Sequence, residues 1–280
     1  MKFKGELNEN GVIWLQRRLI PVLERLGKEV ILLLTPSAVL FIQDTKSTQG
    51  LLIHTIFQQA SIFSVYRVQS RNEDKICVKV NASLFTRVLK SIQGDFERVE
   101  IKLVKRRVAE QEAVQLPFLN FSTASAAVNI VQDLPIIGNP FLASEVQEVE
   151  RTLPNNEAIG DRSYYLDIQP LLVSQMQQVV EKLKNLNDVI QLATTQDGNL
   201  HLQADAQTVT LGSEYRGLKV LPQRLALDRQ ADDDESCSGD PATRLQEALG
   251  RGEAEQVSIR AKDLARGLLC QGTKPDRVLC

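Results

Sequence analysis

Between residues 163 and 207 the spacing of apolar side chains changes in a regular succession. Leu172, Met176, Val179, Leu183 and Leu186 recur at three- and four-residue steps, which predicts a helix over 169–186 with one core-seeking face. Ser174, Gln177, Glu181, Lys184 and Asn185 fall on its other side. A strand is predicted before it at 163–168 and two after it, 188–196 and 199–207. These two meet at Asp197-Gly198, a pair suited to a hairpin turn that needs positive φ. Leu200, Leu202 and Ala204 alternate there with His201, Gln203 and Asp205, so His201 is expected to face solvent. The same succession opens the chain, with a strand over 1–7, a helix over 11–27, a strand over 29–35, a turn at Pro36-Ser37 and a strand over 38–43. The helix ends Leu26 and Leu186 lie 160 residues apart, so one architecture is written twice.

The pattern between these blocks fills out the first domain. In the first helix Val12, Leu15, Leu19, Val22, Leu23 and Leu26 share a side, and Pro21 is expected to kink or shorten it. Strands are predicted at 50–58 and 62–71, then at 75–80, where Ile76, Val78 and Val80 alternate with Cys77 and Lys79. Asn81 or Ser83 can cap a helix ending at Gly94, with Leu84, Phe85, Val88 and Ile92 on one face. Strands follow at 99–103, 114–123 and 127–133. Three prolines between 134 and 162 and a rise in carboxylates then mark 139–162 as a surface connector with little core of its own. The domains predicted are thus 1–138 and 163–280, the second with a strand over 209–221, a disordered acidic loop at 223–244, a strand over 255–260 and a helix over 262–271.

Composition narrows the function classes. At 280 residues, 43% apolar and 24% charged, the chain has the make-up of two ordinary soluble domains. Its longest apolar runs, such as Val30–Leu34, are too short to cross a bilayer, which points to the cytosol or nucleus. Four cysteines without a CxxC suggest neither a disulfide framework nor a thiolate metal site. Phosphate-binding glycine loops, HExxH and GxSxG are absent, and His54 and His201 are the only histidines. No cofactor or metal is expected, and an enzyme is the weakest reading.

Charge resolved by element adds more. Arg17, Arg18 and Arg25 against Glu24 give the first helix +2, and Arg87 and Lys90 give the second +2. Lys182 and Lys184 against Glu181, and Lys262 and Arg266 against Asp263, give the other two +1 each. The four helices carry +6 in a chain whose total is −2, leaving −8 elsewhere. A basic lining in an acidic body suits a protein that holds a polyanion through its phosphates without reading bases.

Met1–Leu7 (MKFKGEL), 23–43 (LERLGKEVILLLTPSAVLFIQ), 85–103 (FTRVLKSIQ…VEIKL), 129–136 (NIVQDLPI) and 177–203 (QQVVEKLKNLNDVIQLATTQDGNLHLQ) carry a resemblance. Their order and spacing resemble the DNA sliding clamps, such as proliferating cell nuclear antigen. Within these, the sequence is more similar to the hydroxyurea-sensitive subunit of the heterotrimeric nine–one–one checkpoint clamp. The resemblance implies an α+β fold of two clamp domains, each of two strand–helix–strand units, with helices lining an inner face and antiparallel sheets outside. It also implies two different partner subunits closing a ring around double-stranded DNA without sequence specificity, an ATP-dependent clamp loader, repair factors as clients, and a location in the nucleus, with the cytoplasm as a second one. By position Arg25, Lys28, Lys90, Lys182 and Lys184 match basic inner-surface sites of the family, while Arg17, Arg18 and Arg87 come from the helix-face pattern alone. The family has two more strands after the point where this sequence ends, and the last pairs near Gly50–Gln58, so an open edge is expected there, as in a truncated isoform. Two alternatives stay open: a homotrimeric replication processivity clamp and, from another class, an interaction adaptor that does not encircle DNA.

Overall fold

The computed structural model describes residues 1–44, 52–92, 98–107, 115–124, 129–153, 165–206, 209–221, 241–275 and 278–279. Its chain divides into two compact units, Met1–Pro154 and Asn155–Cys280.

In the first unit β1 (Lys2–Leu7) leads to α1, which runs as α-helix over Glu9–Ile13, π-helix over Trp14–Leu19 and α-helix again over Ile20–Leu26. The Asn8 side chain accepts the Gly11 N–H at 2.7 Å and starts the helix. A Cβ on Gly11 would come within 2.1 Å of the Ile62 carbonyl oxygen, so only glycine lets the helix lie this close to that backbone. Pro21 neither stops nor shortens α1. The Ile20 N–H reaches back five residues to the Leu15 carbonyl, and this π-turn places Pro21 in the first turn of the next α-helical segment, where a missing N–H costs little.

Next come β2 (Glu29–Leu34), β3 (Ala38–Asp44), β4 (Leu52–Gln58), one helical turn at Gln59–Ile62, β5 (Phe63–Gln69) and β6 (Ile76–Asn81). Helix α2 (Ala82–Lys90), capped by Asn81, precedes β7 (Arg98–Arg107), β8 (Gln115–Ala124), β9 (Asn129–Pro135) and α3 (Ala143–Thr152). The strands form two antiparallel sheets, ordered β5-β1-β7-β8-β9 and β4-β3-β2-β6. Leu15, Leu19 and Leu23 of α1 and Phe85 and Leu89 of α2 fill the core with Phe3, Val30, Phe41, Val78, Ile101 and Phe121. Each such side chain contributes about 1.5–3 kcal/mol on burial.

The second unit holds β10 (Tyr165–Ile168), α4 (Pro170–Leu183), β11 (Val189–Thr195), β12 (Leu200–Asp205), β13 (Thr210–Tyr215) and β14 (Lys219–Leu221). After these come α5 (Pro241–Gly250), β15 (Ala254–Arg260), α6 (Ala261–Gly267), a 3₁₀ turn (Leu268–Thr273) and β16 (Val278–Leu279). Its sheets are β13-β12-β11-β15 and β14-β10-β16, again antiparallel. The repeat extends to single hydrogen bonds. The Ala82 N–H that opens α2 donates to the Lys28 carbonyl at 2.9 Å, and the Ala261 N–H that opens α6 donates to the Asp188 carbonyl at 2.8 Å.

Five expectations need correction. The predicted strand over 209–221 is two strands in different sheets, because Gly217 at φ +69° turns the chain between them. Leu186 is 41% exposed, lying past the end of α4, whose core face is Val173, Met176, Val180 and Leu183. The stretch 139–162 is more than a connector, since α3 packs Val146 onto Leu33, Leu40, Ile42 and Cys77 on the outer side of the four-stranded sheet. Lys75 pairs with Glu150 of α3 at 2.9 Å and the Phe141 N–H donates to the Cys77 carbonyl, which fixes it there. Of the acidic loop at 223–244, residues 241–244 belong to α5 and 222–240 lie outside the described residues. Helix α5 covers the outer side of its own sheet, burying Leu245 and Ala248, so His201 is 5% exposed instead of solvent-facing.

Candidate nucleic-acid interface

Helices α1 and α2 of the first unit each bury one face in the core and turn the other away from the sheets. They are tied together by Gln16, whose Nε2 donates to the Leu89 and Ile92 carbonyls at 3.1 and 3.0 Å. This amide gives the Ile92 carbonyl, just past the end of α2, a donor and adds a second one to the Leu89 carbonyl, which already accepts the Ile92 N–H at 3.1 Å. Across the joined surface lie Arg17 and Arg25, eight residues or about two turns apart on α1, and Arg87 and Lys90 on α2. All four are exposed, as is Lys28, whose carbonyl accepts from the first residue of α2. None of the five makes an ion pair among the described residues. Arg18 is held differently. Its guanidinium carbon stands 4.5 Å from the Trp14 ring centroid, and Trp14 packs edge-on against Phe57.

In the second unit Lys182 is exposed near the end of α4, while Lys184 pairs with Glu181 at 2.5 Å and so offers little net charge. Beside α4 lies α6 with the 3₁₀ turn that follows it, whose Gln271 accepts from Ser174 Oγ of α4 at 2.5 Å and bonds Gln177. Lys262 is exposed and Arg266 half-buried on α6. They complete the basic surface of this unit, and their signal in the sequence was the net charge of 262–271. Gln16 had no such signal.

Six of the eight sequence-predicted cations are therefore exposed without an ion pair among the described residues: Arg17, Arg25, Lys28, Arg87, Lys90 and Lys182. The remaining two, Arg18 and Lys184, are engaged by Trp14 and Glu181. Among the described residues no group of three or more His, Cys, Asp or Glu is placed to hold a metal, and no helix is long and apolar enough to cross a membrane.

A family model described as Hus1-like protein matches residues 1–280. The chain belongs to the Hus1-like family. It is 22% identical over 222 residues to the "Checkpoint protein hus1 homolog" of Dictyostelium discoideum, covering 78% of this chain and 74% of that one. To the human "Checkpoint protein HUS1" it is 24% identical over 226 residues, covering 79% and 76%. Among solved structures, proliferating cell nuclear antigen of Entamoeba histolytica superposes with a TM-score of 0.60 at 9% identity, covering 99% of this chain and 87% of that one. The antigen of Thermococcus kodakaraensis superposes at 0.58 with 15% identity, covering 99% and 88%. At these identities the superpositions speak for the fold alone, and the fold of this Hus1-like chain is that of the sliding clamps.

Proposed function

We propose that this Hus1-like chain is a non-catalytic subunit of a ring-shaped checkpoint clamp. It joins two different clamp subunits around duplex DNA, is loaded by an ATP-dependent clamp loader, and serves in the nucleus as a platform for damage signalling and repair. The observation that carries this reading is the family match over the whole chain, borne by a fold whose basic helix faces lie opposite its sheets. Six exposed cations without ion pairs among the described residues suit phosphates held loosely and without base contacts. Partner subunits have edges to meet: β9 and β13 each end a sheet, with Val131 60% and Leu211 42% exposed on them.

The test is topological. The chain is co-expressed with two partner subunits, its native mass measured, and the complex loaded onto nicked circular duplex. A one-to-one-to-one complex that stays on the circle in high salt and leaves when the circle is cut is expected. A self-trimer would favour the processivity clamp. Retention indifferent to cutting would sink encirclement and favour the adaptor.

A further inference from the structure

The outer face of the five-stranded sheet carries a charge pattern unrelated to the helices. Its register sets Arg67 of β5 opposite Lys4 of β1, and Lys4 opposite Lys102 of β7. Three cations thus stand in one row across three neighbouring strands, an arrangement that is destabilising by itself. Glu100, one step along β7, answers part of it, at 2.7 Å from Lys4 and in contact with Lys102. Arg67 and Lys2 are exposed and make no ion pair among the described residues.

The row borders a cavity. Pairing of β1 with β7 begins at Lys4, so Lys2 and Phe3 have no partner on β7, while β7 runs on along β8 to Arg107. At this opening lies a cavity of about 710 Å³ whose lining includes Lys2, Lys4, Arg67 and Lys102 and no carboxylate. Its apolar wall is formed by Phe3, Val68, Leu103 and Val104, and Tyr66 is fixed beside it by donating to the Thr35 carbonyl at 2.8 Å. This is the size of a pocket that holds a small ligand or a peptide side chain or two.

We propose that this cavity docks an acidic peptide segment of a partner protein. One bulky apolar side chain enters against the partly exposed Val68, Leu103 and Val104, and flanking carboxylates meet Lys2, Lys4, Arg67 and Lys102. Charge complementarity selects the acid, and the apolar wall selects a peptide over a nucleic acid. A phosphodiester backbone has nothing to fill that wall, and Phe3 is 5% exposed with its ring edge-packed against Phe63 and Tyr66, so it offers no face for a base to stack on. The site lies away from the helix cations, so it stands or falls separately from DNA encirclement.

The probe is a short fluorescent peptide with a central Phe-Leu pair flanked by Asp and Glu, followed by anisotropy on the full chain. Saturable binding is expected, weakened about tenfold or more by Arg67→Glu, by Arg67→Glu with Lys102→Glu, and by replacing Phe-Leu with Ser-Ser in the peptide. Arg67→Glu removes an exposed, unpaired side chain, so its thermal unfolding should match the parent and keep the result readable. Arg25→Glu with Lys90→Glu should leave peptide binding unchanged. No saturable binding below millimolar peptide, binding indifferent to Arg67, or equal binding of the Ser-Ser peptide would each overturn the proposal. Displacement of the peptide by a duplex oligonucleotide with the same dependence on Arg67 would reassign the surface to nucleic acid.

Discussion

Glu214 shows how much of the second unit rests on single charged side chains. Its side chain is 5% exposed, and its carboxylate accepts from Arg244 Nη2 at 2.5 Å and Arg216 Nε at 2.7 Å, with His201 Nε2 at 3.7 Å. Burial pushes the carboxyl up from its ordinary 4.5, and the hydrogen bonds from Arg244 and Arg216 outweigh this, so it ends lower. Burial pushes His201 down from 6.5, with Glu214 opposing and Arg244 and Arg216 adding to the fall. Both depressed values mean that the unfolded state binds more protons, so stability is present above the ordinary values and lost as pH falls. Because Arg244 belongs to α5, amide exchange across 241–250 should quicken as pH drops below 6.5, for His201, and again below 4.5, for Glu214, after correction for the intrinsic rate. Glu214→Gln should cost about 2 kcal/mol at neutral pH, a factor of about 30 in local exchange. Equal protection at pH 7 and 5 would show that the cluster does not hold the helix. On the other helix pair, Gln16→Ala should cost about 1–2 kcal/mol in urea unfolding followed by Trp14 fluorescence, since the Ile92 carbonyl loses the Gln16 donor and the Leu89 carbonyl keeps only the Ile92 N–H.

Among elements, the readable ones and the missed ones divide by what they bury. Helices α1, α2 and α4 each put a continuous apolar stripe into a core, and such stripes recur at helical spacing whatever the surroundings. Helix α3 buries only Val146 fully, with Val149 and Leu153 partly covered, among Glu145, Glu148 and Glu150. Among the described residues, helix α5 buries only Leu245 and Ala248, next to an acidic tract. Two or three apolar positions do not outweigh composition, so both segments look like surface chain. The same omission misplaced His201 and hid why Cys77, at an alternating strand position beside Lys79, is wholly buried. Burial, with Glu145 and Glu150 nearby, pushes the Cys77 thiol up to about 12. It should therefore resist alkylation at neutral pH. Val146→Asp, which sets a charge against Leu33 and Ile42, should lift α3 and expose it. Peptide mapping after labelling reads this, because it separates Cys77 from the other three cysteines. Equal protection in the variant would mean that the sheet shields the thiol without the helix.

For the whole molecule, the repeat made the fold legible, because two blocks 160 residues apart with one succession of periods constrain each other. The basic surface was legible only as charge per helix. Whether a given lysine is available depends on side-chain pairing, which periodicity does not encode. Lys182 and Lys184 sit two residues apart on one helix end, yet only Lys184 finds Glu181. That difference gives the sharpest test of the phosphate-holding surface. Binding to a short open-ended duplex should weaken with salt, and each lost phosphate contact should flatten the log–log slope by about 0.9. Arg25→Glu with Lys90→Glu should therefore flatten it by about 2, while folding stays within about 0.5 kcal/mol because both side chains are exposed and unpaired among the described residues. Lys184→Glu, starting from a cation already neutralised, should change the slope by clearly less than one contact. If Lys184→Glu matched either single reversal, net charge alone would govern binding and the helix faces would have no special part. If the double reversal changed nothing, the helices would not face DNA, and the excess of +6 on them would be ordinary solvated surface.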